Sequence, residues 1–117
     1  LVSTETVQLF DFDNSTGIVS NALTLGTFTT IPFAFSAEFS PDDSKLYVVN
    51  FNTSAVYQFN LQATNILSSI TNVSTTGSTC SWVQLAPDGK IYVAMAYTNY
   101  LSVINYLFLV WTSCRRI

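Results

Sequence analysis

The feature that most constrains this chain is that it repeats itself. Phe39-Ser40-Pro41-Asp42-Asp43-Ser44-Lys45-Leu46-Tyr47-Val48-Val49 returns as Leu85-Ala86-Pro87-Asp88-Gly89-Lys90-Ile91-Tyr92-Val93-Ala94, with the turn shortened by one residue. A second element follows each copy at constant distance. Val56-Tyr57-Gln58-Phe59-Asn60 begins nine residues after Tyr47, and Leu101-Ser102-Val103-Ile104-Asn105 begins nine after Tyr92. The same element opens the chain as Val7-Gln8-Leu9-Phe10-Asp11, so three copies stand 49 and then 45 residues apart. The segment after it recurs too, since Gly17-Ile18-Val19-Ser20 parallels Asn65-Ile66-Leu67-Ser68. Gly and Asn both tolerate the positive φ that a tight turn between strands demands.

Each unit has the chemistry of four short strands. Phe35-Ser36-Ala37-Glu38-Phe39 alternates apolar with polar or small residues, as a half-buried strand does, and Pro41-Asp42 supplies a turn that fixes φ and ends the ladder. Leu46-Tyr47-Val48-Val49 is a continuous run of β-formers, as expected of a central strand covered on both faces. Val56–Leu61 and Ile66–Val73 complete the set, the last with Ser and Thr interleaved as befits a wetter outer strand. A period of about 40 to 50 residues built of four strands is the blade of a β-propeller. The expected fold is therefore all-β: a β-propeller fragment of about two four-stranded antiparallel blades in an incomplete ring. Residues 1–106 form the partial propeller, with the outer strands of one blade at 6–25, a full blade at 32–73 and three strands of the next at 81–106. After Asn105 the pattern fails, and 107–117 is an atypical apolar and basic tail: an out-of-frame end, an edge-covering strand or a membrane-adherent segment.

With 117 residues the chain falls short of a closed ring, so it is expected to need further blades of a larger protein or further copies of itself. Charged residues are only 9% of the chain against 49% hydrophobic, the opposite of a disordered composition. Lys45, Lys90, Arg115 and Arg116 are the only cations beside a net charge of -3, which leaves no basic patch for nucleic acid. The stretch from Ile91 to Cys114 carries no charge and is long enough to raise a transmembrane helix, but Thr98, Asn99, Ser102 and Asn105 interrupt it in register with the repeat. Strands are the better reading, and no membrane span is expected. Cys80 and Cys114 are open either to pairing in an oxidising compartment or to remaining thiols.

The Ser-Pro-Asp-Asp-Ser-Lys-Leu-Tyr-Val and Ala-Pro-Asp-Gly-Lys-Ile-Tyr-Val segments resemble YVTN-type propeller repeats, in which a proline-aspartate turn joins the first two strands of a blade. Val7–Asp13 with Thr16-Gly17, Glu38–Pro41, Gln84–Ala94 and Leu101–Asn105 resemble more closely the propeller regions of large secreted, gliding-motility-associated surface proteins. The resemblance covers about residues 7 to 105. It implies an extracellular or cell-surface location and a binding or scaffolding role, and it says little about activity, because propellers host many unrelated functions.

The chain has no histidine, which removes Ser-His-Asp and Cys-His catalysis and histidine metal sites from within it. No catalytic residue, metal site or cofactor is expected. Asp42, Asp43 and Asp88 belong to turns, where Asp has a local role. Asp11, Asp13 and Asn14 are a close oxygen cluster without the loop or the ligand number calcium needs, and are assigned to a solvated turn. Glu38 is the one acid on an inner strand, facing a blade interface or the propeller channel, and Gln84 holds the equivalent place; these two are the candidate ligand-binding residues. Trp82 and the tyrosines suggest a carbohydrate-stacking surface, but aromatics on strands usually pack, and they are assigned to packing. Three Asn-X-Ser/Thr triplets, beginning at Asn14, Asn52 and Asn72, are expected by chance in so Ser- and Thr-rich a chain.

The leading expectation is a non-enzymatic binding or scaffolding propeller segment of a secreted or cell-surface protein, taking a protein or carbohydrate ligand. The alternatives are a propeller hydrolase or lactonase with its active site outside this chain, and a self-assembling lectin-like propeller.

Overall fold

The computed structural model describes residues 6–27, 34–74, 79–104 and 114–116. They form three antiparallel sheets. The first sheet pairs β1 (Thr6–Asp13) with β2 (Ile18–Thr27). The middle sheet is the meander β3 (Ala34–Phe39), β4 (Lys45–Asn50), β5 (Ala55–Asn60) and β6 (Thr71–Asn72). The last sheet runs β7 (Cys80–Leu85), β8 (Ile91–Met95), β9 (Leu101–Ile104) and β10 (Cys114–Arg116).

The sheets stack face to face, and the alternation of side chains along β4 explains how. Leu46 and Val48 point one way and, with Phe59, form a core against Val7, Leu9, Leu23 and Leu25 of the first sheet. Tyr47 and Val49 point the other way and, with Val56, pack on Val83, Ile91, Val93 and Ile104 of the last. Every residue of β4 is therefore buried, as a strand covered on both faces requires. Full burial of each such Val or Leu side chain stabilises by about 1.5–3 kcal/mol, so a charge placed at Val48 or Val49 would separate the layers. Gln58 sits in the same interior because its amide donates to the Tyr47 hydroxyl at 2.9 Å. The described residues form an open stack with no closed ring.

The repeat in sequence is a repeat in backbone. β3 and β7 each carry a bulge at the same place, Phe35 between the Ala34↔Asn50 and Ser36↔Val49 pairs, and Ser81 between Cys80↔Met95 and Trp82↔Ala94. Beyond the bulges Glu38 pairs with Tyr47 and Gln84 with Tyr92. The two proline-aspartate turns close alike, the Asp43 amide on the Ser40 carbonyl and the Gly89 amide on the Ala86 carbonyl. Both turns place a positive φ at the residue after the proline-aspartate pair, 57° at Asp43 and 75° at Gly89.

Three details differ from the sequence reading. On β3 the half-buried set is the polar one: Ser36 and Glu38 face the last sheet, while Phe35, Ala37 and Phe39 are exposed. The outer strand expected over Ile66–Val73 shrinks to Thr71–Asn72, preceded by a 3-10 turn at Leu67–Ser69. Asn65 Oδ1 accepts the Ser68 amide and the Ser69 hydroxyl donates to the Ile66 carbonyl, local bonds that compete with a ladder. The parallel drawn between Gly17 and Asn65 therefore fails in conformation: Gly17 has φ 74° and leads directly into β2, whereas positive φ does not occur at Asn65. Of the alternatives for the tail, residues 114–116 form an edge strand, β10, paired with β9. Residues 107–113 of that tail, with Phe108 and Trp111, lie outside the described residues.

No helix among the described residues is long and apolar enough to cross a membrane, and β8 and β9 occupy the charge-free stretch that raised the question. Cys80 and Cys114 lie on the opposite edge strands of the last sheet. Three strand spacings separate them by roughly 14 Å before any offset along the strands, well beyond disulfide reach.

Candidate functional site

β3 and β7, the first strands of the middle and last sheets, run side by side in the same direction and meet through a polar seam. The Ser36 hydroxyl accepts the Val83 amide at 3.2 Å and lies 3.4 Å from the Val83 carbonyl as donor. Two residues on, Glu38 Oε2 accepts the Leu85 amide at 3.0 Å, and its Oε1 accepts the Phe39 amide at 3.1 Å. The spacing of two residues is what puts both acceptors on one face of β3. Glu38, a sequence candidate for ligand binding, thus holds one sheet on the next.

Gln84, the other candidate, is not brought together with Glu38. It occupies the matching register in the last sheet and is exposed, on the face of β7 turned away from the stack. The two residues are one position seen twice, once with a following sheet and once without. On the opposite flank the β3 face bearing Phe35 and Ala37 opens on a recess of about 290 Å³, bounded across from it by Thr6, Val7 and Gln8.

The remaining acids serve their own turns. Asp42 Oδ1 accepts the Ser40 and Ser44 hydroxyls at 2.7 and 2.8 Å and the Ser44 amide at 3.1 Å. The Ser40 hydroxyl first, then that of Ser44, hold the Asp42 pKa down to about 2. Asp88 is lowered chiefly by the Tyr92 hydroxyl at 2.8 Å, then by the Lys90 amide, and the same bond raises Tyr92. Asp13 is lowered by the Ser15 hydroxyl and amide, while Asp11 accepts from the Asn21 amide across the hairpin. Asp11 and Asp13 are therefore engaged separately, and no three acidic, cysteine or histidine side chains converge among the described residues. These carboxylates are fixed as acceptors within their own turns and hairpin.

The turns also give the stack two unlike ends. β1, β3 and β7 start at one end, because Thr6, Val7 and Gln8 line the same recess as Ala34 and Phe35, and Ser36 and Glu38 pair in order with Val83 and Leu85. The far end carries the turns with Asp13, Asp42, Asp43, Asp88 and Lys90. The strand-start end carries the β4–β5 and β8–β9 turns, neither of which contains a charged residue, and β10 runs toward it with Arg116 opposite Ser102. There Phe35 packs at 5.6 Å from Phe51, tilted 36°, and edge-on at 6.2 Å from Trp82. Phe35 and Trp82 are nonetheless 57% and 54% exposed, and Tyr97, in the β8–β9 turn, is 95% exposed. Trp82 is accordingly not core packing as the sequence suggested. The signal that marks this end is the pair of turns, each free of charge and holding an aromatic residue.

A scan of protein-family models and a search of curated proteins find no match to this chain.

Proposed function

We propose that this chain is a non-enzymatic scaffolding and binding segment of a β-propeller belonging to a secreted or cell-surface protein. The observation that carries the reading is the seam. Sheet follows sheet in the same direction and register, Ser36 and Glu38 gripping β7, and Trp82 and Gln84 stand at the same two positions on the next open face. A stack whose last sheet repeats the geometry of its predecessor is suited to continuing, and the recess beside β3 offers the complementary place at its other flank. The turn-bound acids support a role without catalysis. The extracellular or cell-surface placement follows from the sequence resemblance.

Light scattering on the purified chain over a wide range of concentration tests this. Self-association that Gln84→Lys or Ala37→Lys abolishes is the expected result, and a discrete oligomer would identify copies that complete one ring among themselves. A chain that stays monomeric and fully stable with both flanks open would overturn the reading.

A further inference from the structure

We infer, on the reading of the chain as a stack suited to continuing, that its partner is a second copy of itself joined head to tail. The open face of the last sheet in one copy docks on the outer face of the first sheet in the next, and Trp82 enters the recess beside β3. Residues directly opposed in a ladder share a face. Ser36, Val49 and Val56 stand in one such row across β3, β4 and β5, and the row faces the last sheet, with Val49 and Val56 wholly buried. The equivalent row of the last sheet is Trp82, Ala94 and Leu101, on a face with no further sheet among the described residues. There Trp82 and Leu101 are 54% and 46% exposed.

The other flank carries the other half of the junction. Phe59 is wholly buried where the middle sheet receives the first, and its counterpart in the repeat, Phe10, is 46% exposed on β1. Val7 and Leu9 point inward to the middle sheet, so alternation turns Gln8, Phe10 and Phe12 outward, with Thr24 opposite Gln8 and Val19 opposite Phe12. Asp11 and Asp13 fall on the inward side of the alternation, which leaves the outer face uncharged. Two copies, each of net charge -3, therefore meet there without opposed carboxylates. The molecule makes this kind of junction internally between first and middle sheets and between middle and last, and it presents the two unmatched halves on opposite flanks. Such a contact is heterologous: it joins head to tail and is not satisfied by a symmetric pair.

Trp82 marks how the junction between copies differs from those within one. Ser36, at the same position, accepts a backbone amide from β7, whereas an indole is a donor only and has no acceptor to offer a strand. The first sheet has two described strands where the last has four. In the register of the internal junctions, β7 of one copy thus overhangs the recess of about 290 Å³ between β1 and β3 of the next. Val7, Ala34, Phe35, Ala37 and Val48 line it with apolar surface. A large apolar side chain, burying about 150–250 Å², fills such a space as serine cannot. A foreign partner would have to match one flank, whereas here the two flanks match each other.

Sedimentation velocity of the full chain and of variants blocked on a single flank tests this. Trp82→Lys blocks one flank and Phe10→Lys the other, both at exposed positions. Leu101→Lys is a second block on the Trp82 flank and leaves the contact of Trp82 with Phe35 in place. The parent should assemble beyond a dimer, and each variant alone should associate at least tenfold more weakly while keeping the parent's circular dichroism. An equimolar mixture of Trp82→Lys and Phe10→Lys should form a species of twice the chain mass and no larger, because one intact junction remains between them. A parent that does not self-associate overturns both this junction and the stack that continues. A parent that associates overturns the head-to-tail junction alone if it stops at a dimer, if the mixture stays monomeric, or if Trp82→Lys and Leu101→Lys associate undiminished.

Discussion

Replacing Glu38 by Ala isolates what holds one sheet against the next. The substitution removes the acceptor of the Leu85 amide at 3.0 Å and leaves that N–H facing a half-buried seam. Hydrogen bonds to charged groups contribute about 1.5–3 kcal/mol, and partial solvent access at the seam puts the expected loss near the lower end, about 1.5 kcal/mol. Glu38→Gln keeps a carbonyl acceptor and should cost less than half as much. The internal control is Gln84→Ala, at the same register of the following sheet but on an open face. Its effect should stay within about 0.5 kcal/mol, as for surface positions generally. Urea unfolding followed by circular dichroism at fixed, low protein concentration reads all three. Equal losses at Glu38 and Gln84 would refute the reasoning, because the two positions differ in having or lacking a sheet behind them.

Asp43 and Gly89 occupy matching turn sites with positive φ, so Asp43→Gly should stabilise by about 0.5–1 kcal/mol and Gly89→Ala should destabilise, as thermal unfolding would report. Ser102 is fully buried and its hydroxyl has no partner among the described residues, so Ser102→Ala should raise stability by about 1 kcal/mol in urea titration. Asp42 is held at about 2 against an ordinary 3.8, which means it binds its proton more readily unfolded; its stabilising contribution is complete above pH 4 and is lost as pH falls toward 2. Asp42→Asn should flatten acid unfolding over that window. Cys80 and Cys114 should both titrate with a thiol reagent in denaturant without prior reduction, since the fold keeps them on opposite sheet edges.

The strands were legible where the sequence repeats. Tyr47 and Tyr92 fix the register of both central ladders, and the proline-aspartate turns announce where each begins. The outer strand was not legible: Ile66–Val73 has suitable composition, but Asn65 and Ser69 offer the backbone nearer partners than β5 does. Burial on β3 was hidden for a related reason. Period-two alternation identifies a strand without saying which face is covered, and here a neighbouring backbone rewards Ser36 and Glu38 over Phe35 and Phe39. Glu38 was found as the lone acid on an inner strand, while Trp82 was assigned to packing and its contact with Phe35 went unseen, because the two stand 47 positions apart in the chain and touch only across two sheets.

Each ladder in the middle and last sheets closes between consecutive strands, whereas the seam waits for a strand 47 residues later. Local hairpins form quickly, and distant docking comes after. During synthesis the middle sheet can thus assemble as soon as it emerges, poised but weakly held until β7 arrives. Stability in such a molecule is a sum of what each layer holds and what each junction adds. A gene that gains one more unit of this kind leaves every earlier hairpin untouched and adds one junction, so the length of the array is free to drift while its local architecture is inherited intact.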